Sequence, residues 1–345
     1  MTMNKRHRQL LLLFSLVLLH VFFMVFPGFF APYDYSEQNR ELPFAPPTRL
    51  HFIDSAGGFH LMPFVHPFRP NEDGAPYVED QARVYPLHLL KNGAPYRVLG
   101  LWTARLHLFG VEQPGHVFLF GTDDFGRDEL SRMLFGGQIS LLAGVLGAAM
   151  AILAGAALGV LSGFYGGWLD ALIMRSAELF LALPWLYLLF AVRAILPLHI
   201  KTTDTLLLLI AVVGLVGWAR PGRLVRGIVL SAKERNFALA ARAMGASNFH
   251  VLRWHILPET YGVLLTTAAL LVPQFILAEV TLSFLGLGVG EPMPSWGSLL
   301  AELQNYSVLT SYWWMYLPAC ALIILFLAYH WASTVLQEKV AEVRS

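Results

Sequence analysis

The sequence predicts an all-α integral membrane protein of about six transmembrane helices, with a small β-rich lobe between the first two. Three observations predict it. Only 14% of the 345 residues are charged and 56% are hydrophobic, where soluble domains run nearer a quarter charged. Six apolar runs approach the ~20 residues of helix that cross a hydrocarbon core. One long segment, residues 32–117, is rich in proline and aromatics instead and holds no run of that length. Mean hydropathy is +0.55. The net charge of +1 leaves no bulk charge for nucleic acid. The single cysteine, Cys320, excludes an internal disulfide framework and a cysteine-based metal cluster.

Taken in order, residues 1–9 are a basic N-terminus, and residues 10–31 form the first span. This run is longer than the apolar part of a signal peptide and ends in Pro27-Gly28-Phe29-Phe30-Ala31, without a small-x-small cleavage pattern, so it reads as a retained anchor. Residues 32–117 read as an outer β-rich lobe. Leu50–Ile53 and Phe59–Val65 flank a Ser-Ala-Gly-Gly turn, and Tyr96–Val111 alternates enough for one or two further strands. The lobe carries His51, His60, His66, His88, His107 and His116 at spacings that match no metal-ligand motif, so they read as surface and packing residues.

Residues 118–336 hold the other five spans. Leu134–Leu169 has no charge, and Leu169–Leu196 has Asp170, Arg175, Glu178 and Arg193. Thr205–Ala219 is apolar but short. Tyr261–Val289 has only Glu279, and Tyr312–Leu336 only His330. Pro184 and Pro273 fall inside spans, where neighbouring helices can satisfy the freed carbonyls. Residues 337–345 are a short tail.

Within the spans, Gly147, Ala151, Gly155, Gly159, Gly163 and Gly167 recur every fourth position and form one stripe. Such a stripe admits another helix closely. Two partners fit it, a helix of this chain or one of a second, similar subunit. Glu279 sits mid-span, where a charge costs about 2.5–3.5 kcal/mol, and is read as facing a polar partner or a translocation path. Arg175 and Glu178 are spaced to pair. Asp123 and Asp124 precede a span and read as helix caps, with Arg127 pairing locally, rather than as an acid and base pair.

Basic residues set the orientation. From Arg220 to Arg253 there are seven basic residues and one acid, Glu234, so residues 220–258 are expected in the cytoplasm with both termini. Inside that loop, alanine and leucine favour a helix up to Met244, Gly245 can end it, and Ser247 can cap a second helix that leads through Pro258 into the next span. Such a helix-turn-helix, basic and rich in small residues, suits docking into a partner's groove.

Here the chain resembles the inner-membrane permeases of ATP-binding-cassette importers, of the dipeptide and oligopeptide type. Their cytoplasmic signature is Glu-Ala-Ala, three residues, Gly, then Ile-x-Leu-Pro or close variants. Ala240, Ala241, Gly245, Leu257 and Pro258 stand at matching positions; Leu239 replaces the Glu and His255 the Ile. Gly121–Asp128, Phe164–Asp170, Ala182–Pro184, Ala278–Gly288 and Pro294–Gly297 resemble further family segments in the right order, across roughly Phe118–Trp331. The tail from Tyr329 to Leu336 lacks the family's Gly-Asp and Arg-Asp pattern.

The resemblance implies a six-helix permease fold in a bacterial inner membrane, forming half of a channel for peptides. It implies pairing with a homologous permease, two cytoplasmic ATPases that use ATP and magnesium, and an extracytoplasmic solute-binding protein. The ATPase-coupling residues would be Leu239, Ala240, Ala241, Gly245, Ile256, Leu257 and Pro258. Gly155, Gly159 and Gly163 would pack helices, and Glu279 would border the translocation path. No cofactor, metal ligand set or phosphate-binding loop is expected in the chain itself. Nickel chelates and oligosaccharides are carried by relatives of the same type and stay open as substrates. An intramembrane hydrolase finds no His-Glu-x-x-His or Gly-x-Ser-x-Gly motif, and Ser162 has no evident base. A membrane scaffold would not need the docking loop.

Overall fold

The computed structural model describes residues 15–344 apart from 17, 55–56, 71–76, 99, 185–186, 189, 192–193 and 195–201. The first nine residues, the start of the first span, the end of the third, and Arg193 and Lys201 lie outside the described residues. The chain divides into two compact units. One comprises residues 17–141 and 283–323, the other residues 1–16, 142–282 and 324–345.

In the first unit, β1 (His51–Ile53), β2 (Phe59–Val65), β5 (Tyr85–Val98) and β6 (Trp102–Val111) form an antiparallel sheet in the order β1-β2-β5-β6. A separate ribbon pairs β3 (Phe68–Pro70) with β4 (Tyr77–Glu79). The β1–β2 pairing matches His51 with Phe64 and Ile53 with Phe59. β5 begins at Tyr85, well before the alternation that the sequence displays, because Leu87 points into a core of Val65, Val111 and Val117. The sheet histidines have separate partners: His51 meets Glu79 at 2.9 Å, His60 meets Asp54 at 2.9 Å, and His107 contacts the Ala31 and Ala94 carbonyls.

Trp296, only 1% exposed, anchors the rest of that unit. Its indole N–H donates to the Met133 carbonyl at 3.0 Å, and its ring meets Phe23 edge-on. It opens α8 (Trp296–Ala301), capped by Ser295 in a reciprocal box with Ser298. The Trp314 indole donates to the Thr122 carbonyl at 3.1 Å and holds the 121–128 loop.

After the sheet, the helices before α8 include α1 Glu129–Tyr165, α2 Gly167–Ala182, α3 Thr202–Gly217, α4 Ala219–Ala232, α5 Asn236–Ala243, α6 Asn248–Val251 and α7 Leu257–Phe284. After α8 come α9, Tyr306–Ser311, and α10, Leu317–Arg344. Four stretches among the described residues are long and apolar enough to cross a membrane: Glu129–Tyr165, Thr203–Ala232, Asn248–Phe284 and Trp313–Gln337.

Several expected boundaries are corrected. The second span ends at Tyr165, not Leu169, because Gly166 and Gly167 both adopt positive φ (69° and 63°). The fourth does not stop at Ala219: a continuous stretch of 30 residues runs to Ala232. Its α4 portion is amphipathic, with Pro221 in its first turn, where a proline costs no hydrogen bond. Residues 219–232 are therefore helix that follows the apolar run, rather than loop. Pro184 does not lie inside a helix; α2 ends at Ala182, and Leu183 is extended (φ −83°, ψ 133°), the conformation that a following proline imposes. Pro273 does lie inside α7.

Candidate functional site

The loop after α4 is built from local capping signals. Helix α5 ends in a paired-hydrogen-bond cap. Gly245 takes φ +84°, its N–H donates to the Arg242 carbonyl at 2.9 Å, and the Ala246 N–H donates to Ala241 at 3.0 Å. Two residues on, the Ser247 hydroxyl accepts from the His250 N–H at 3.3 Å and starts α6. A five-residue π-helical segment, Leu252–Ile256, then joins α6 to α7.

One face of this unit is packed. Ala238, Ala241, Val251 and Ile256 are buried with Val225, Val229 and Ala232 of α4. The other face is open. Leu239 is 46% exposed, Met244 83% and Phe249 69%, with Ala240, Arg242 and Gly245 also exposed. The seven loop residues singled out in the sequence thus divide. Leu239, Ala240, Gly245 and Pro258 are exposed, Leu257 is half-buried, and Ala241 and Ile256 face inward. Met244 and Phe249 were missed. Their signal is their place at the turn, where an exposed large apolar residue has no folding role.

The loop is tied to the spans through α4. Gly155, Gly159 and Gly163 of α1 lie against α4: a Cβ on them would come within 2.8 Å of Trp218 and Pro221, 2.4 Å of the Gly222 carbonyl and 2.9 Å of the Arg226 carbonyl. The stripe is used inside the chain. Asp170 of α2 accepts both arms of the Arg226 guanidinium, at 2.5 and 2.6 Å, and also the Ser162 hydroxyl. Asp170 is therefore a neighbour of Ser162, but its oxygens are committed to Arg226. Lys233 donates to the Gly163 carbonyl at 3.2 Å. Arg175 and Glu178 are paired at 3.3 Å on an exposed face. Glu279 is fully buried within α7.

Residues 155–342 match the family described as binding-protein-dependent transport system inner membrane component. The chain belongs to that family. Among its relatives, the dipeptide transport system permease protein DppC of Alkalihalophilus pseudofirmus is 34% identical over 220 residues, 64% of this chain and 70% of that protein. The probable D,D-dipeptide transport system permease protein DdpC of Escherichia coli is 38% identical over 211 residues, 61% of this chain and 68% of that one. The oligopeptide transport system permease protein OppC of Bacillus subtilis is 38% identical over 201 residues, 58% and 63% of the two chains.

The permease carries a second constellation, in its other unit. Asp123 accepts the N–H groups of Phe125 and Arg127, and Asp128 accepts the Ser131 N–H at 2.9 Å. The cap of α1 is therefore Asp128; Asp123 organises the loop before it, which corrects the capping role expected for Asp123 or Asp124. Arg127 reaches Asp123 at 2.6 Å and Glu291 at 2.7 Å. Arg132 reaches Glu291 at 2.9 Å, Asp123 at 3.2 Å and Glu302 at 3.6 Å. Burial pushes the Asp128 carboxyl up to about 7, partly offset by hydrogen bonds from Ser131. Burial likewise carries Glu302 to about 8. At Glu291 burial is outweighed by Arg132 and Arg127, which hold it below the usual range.

A carboxyl raised on folding holds its proton more tightly in the folded state. Its stabilising contribution is present at low pH and is lost as pH rises through the folded value. Thermal stability of the permease in metal-free detergent buffer is expected to fall from about pH 6 to about pH 9. A flat or rising profile would contradict the burial of these two carboxyls.

Proposed function

We propose that the permease forms half of an ATP-driven import channel for peptides, with the α5–α6 turn as its contact with a separate ATPase. One observation carries this reading. The turn presents Leu239, Met244, Phe249 and Arg242 outward from a packed base, and that base is clamped to α1 and α2 by the glycine contacts and the Asp170–Arg226 pair. A push on the turn would therefore move spans rather than bend a loop. Shifting such an assembly between two states needs only a differential affinity of the ATPase for them.

The remaining parts follow from the charge pattern and the relatives. The basic stretch from Arg220 to Arg253 faces the cytoplasm with both termini, and the sheet-bearing residues 32–117 lie outside. Helices beyond the four described spans bring the bundle to about six. A homologous permease supplies the other half of the channel, two ATPases use ATP and magnesium below, and a solute-binding protein delivers substrate. Peptides are favoured because the relatives above are described as dipeptide and oligopeptide permeases. Glu279 borders the path, and the chain has no catalytic role of its own.

The test is Gly245→Trp. A Cβ there meets nothing within 4 Å, so bulk is tolerated by the chain itself. The left-handed backbone costs a non-glycine residue roughly 1–2 kcal/mol. The expected result is normal membrane insertion with peptide uptake lost and the ATPases absent from the purified complex. Gly245→Asn, which keeps the left-handed turn without the bulk, should retain both. Normal uptake by the tryptophan variant would remove the coupling role.

A further inference from the structure

We propose that Asp123, Asp124 and Glu302 bind one hard divalent cation beside the buried Glu129, with Ca²⁺ as the natural occupant.

Geometry comes first. Asp123, Asp124 and Glu302 each place a carboxylate oxygen so that all three lie within 4.8 Å of one another. Calcium–oxygen distances of about 2.3–2.6 Å put ligands on opposite sides of one ion roughly 5 Å apart, so the three fit a single coordination sphere.

Glu129 is the independent observation. It is 0% exposed, and among the described residues neither of its carboxylate oxygens has a hydrogen-bond partner. The charge that acts on it most strongly is the like charge of Glu302, followed by Arg132 and Asp123. Its carboxylate is thus within electrostatic reach of Glu302 and Asp123 and, among the described residues, has no hydrogen bond. A buried carboxylate without a partner is costly. Glu302 is in a similar state, with one oxygen unbonded and Arg132 no nearer than 3.6 Å.

The two guanidiniums do not meet this need. Arg127 and Arg132 make their short contacts to Asp123 and Glu291, and among the described residues Asp124 has only Arg127, at 3.7 Å. Glu302 and Asp124 are left with no guanidinium nearer than 3.6 Å. A doubly charged ion with a preference for carboxylate oxygen would displace their protons and supply the missing positive charge, and open Asp124, 45% exposed, leaves it a way in. Bound there, the ion would fasten the loop before α1 to Glu302, far along the chain. The rival is a proton shared between Glu129 and Glu302, and the experiment separates the two.

Full-length permease is purified in its own complex, reconstituted in lipid nanodiscs, and measured by radioactive calcium binding and by Tb³⁺ luminescence. Trp314, whose indole donates to the carbonyl of Thr122, is placed to sensitise the emission. Saturable calcium binding is expected, with Tb³⁺ emission displaced by Ca²⁺. Affinity should fall at least about ten-fold in Asp124→Asn and Glu302→Gln. Asp124→Asn changes a half-exposed side chain and keeps the test valid if the buried variant does not fold. Trp314→Phe should dim the emission and keep calcium binding. No saturable calcium binding by the wild type, or unchanged affinity in Asp124→Asn, overturns the proposal and leaves the shared proton.

Discussion

Gly159→Leu is expected to prevent accumulation of the folded permease. A Cβ at this position would sit 2.4 Å from the Gly222 carbonyl oxygen, 2.9 Å from Val225 and 3.1 Å from the Arg226 nitrogen. Two of these three atoms are backbone and cannot rotate away. Overpacking by methylenes alone costs about 1–3 kcal/mol, and here α1 and α4 would have to separate. Between spans, close packing is the main source of attraction, since lipid is as apolar as leucine. Separation would also pull Lys233 from the Gly163 carbonyl. The measurement is membrane yield and melting temperature in detergent. Gly227→Leu is the control, because a Cβ there meets nothing within 4 Å; it should behave as wild type. Equal stability of the two variants would mean that α1 and α4 do not pack by this stripe.

Arg132→Met should be comparably damaging, for an electrostatic reason. The Arg132 side chain is fully buried, and its guanidinium contacts Asp123, Glu291 and Glu302. Methionine keeps much of the volume and removes the charge. Breaking a buried pair by deleting one partner costs about 3–5 kcal/mol, because the other charge is left without compensation. Here Asp123 would keep Arg127, while Glu302 would lose its guanidinium contact. The expected outcome is a large loss of melting temperature. Adding Glu302→Gln to Arg132→Met should restore part of it, since a neutral amide needs no counter-charge. A double variant no better than the single one would show that Arg132 acts by packing and not by charge.

The local features of the α5–α6 turn were legible because each is specified within a few residues. Gly245 was read as a left-handed helix end and Ser247 as a cap, and both conformations follow from side-chain size and hydroxyl placement alone. Apolar runs were legible for the same reason. Their ends were less so. Pro184 was read inside a span, yet the steric restriction that it places on Leu183 ends α2 first. Asp123 and Asp128 both offer a carboxylate near the start of α1, and only the course of the loop decides that Asp128 is the one over the Ser131 N–H.

By itself the sequence determined the membrane class, the turn at Gly245 and the family resemblance, since these rest on composition and short ordered motifs. The tertiary structure alone decided which loop residues face out: Met244 and Phe249, while Ala241 and Ile256 turn inward. It alone gave Gly155, Gly159 and Gly163 of the stripe α4 as their partner and brought Glu129 into the electrostatic reach of Glu302. The physical reason is range. Capping and hydropathy act over a turn or a span, whereas buried contacts and buried charges depend on which distant segments pack together, and no local window of residues contains that choice.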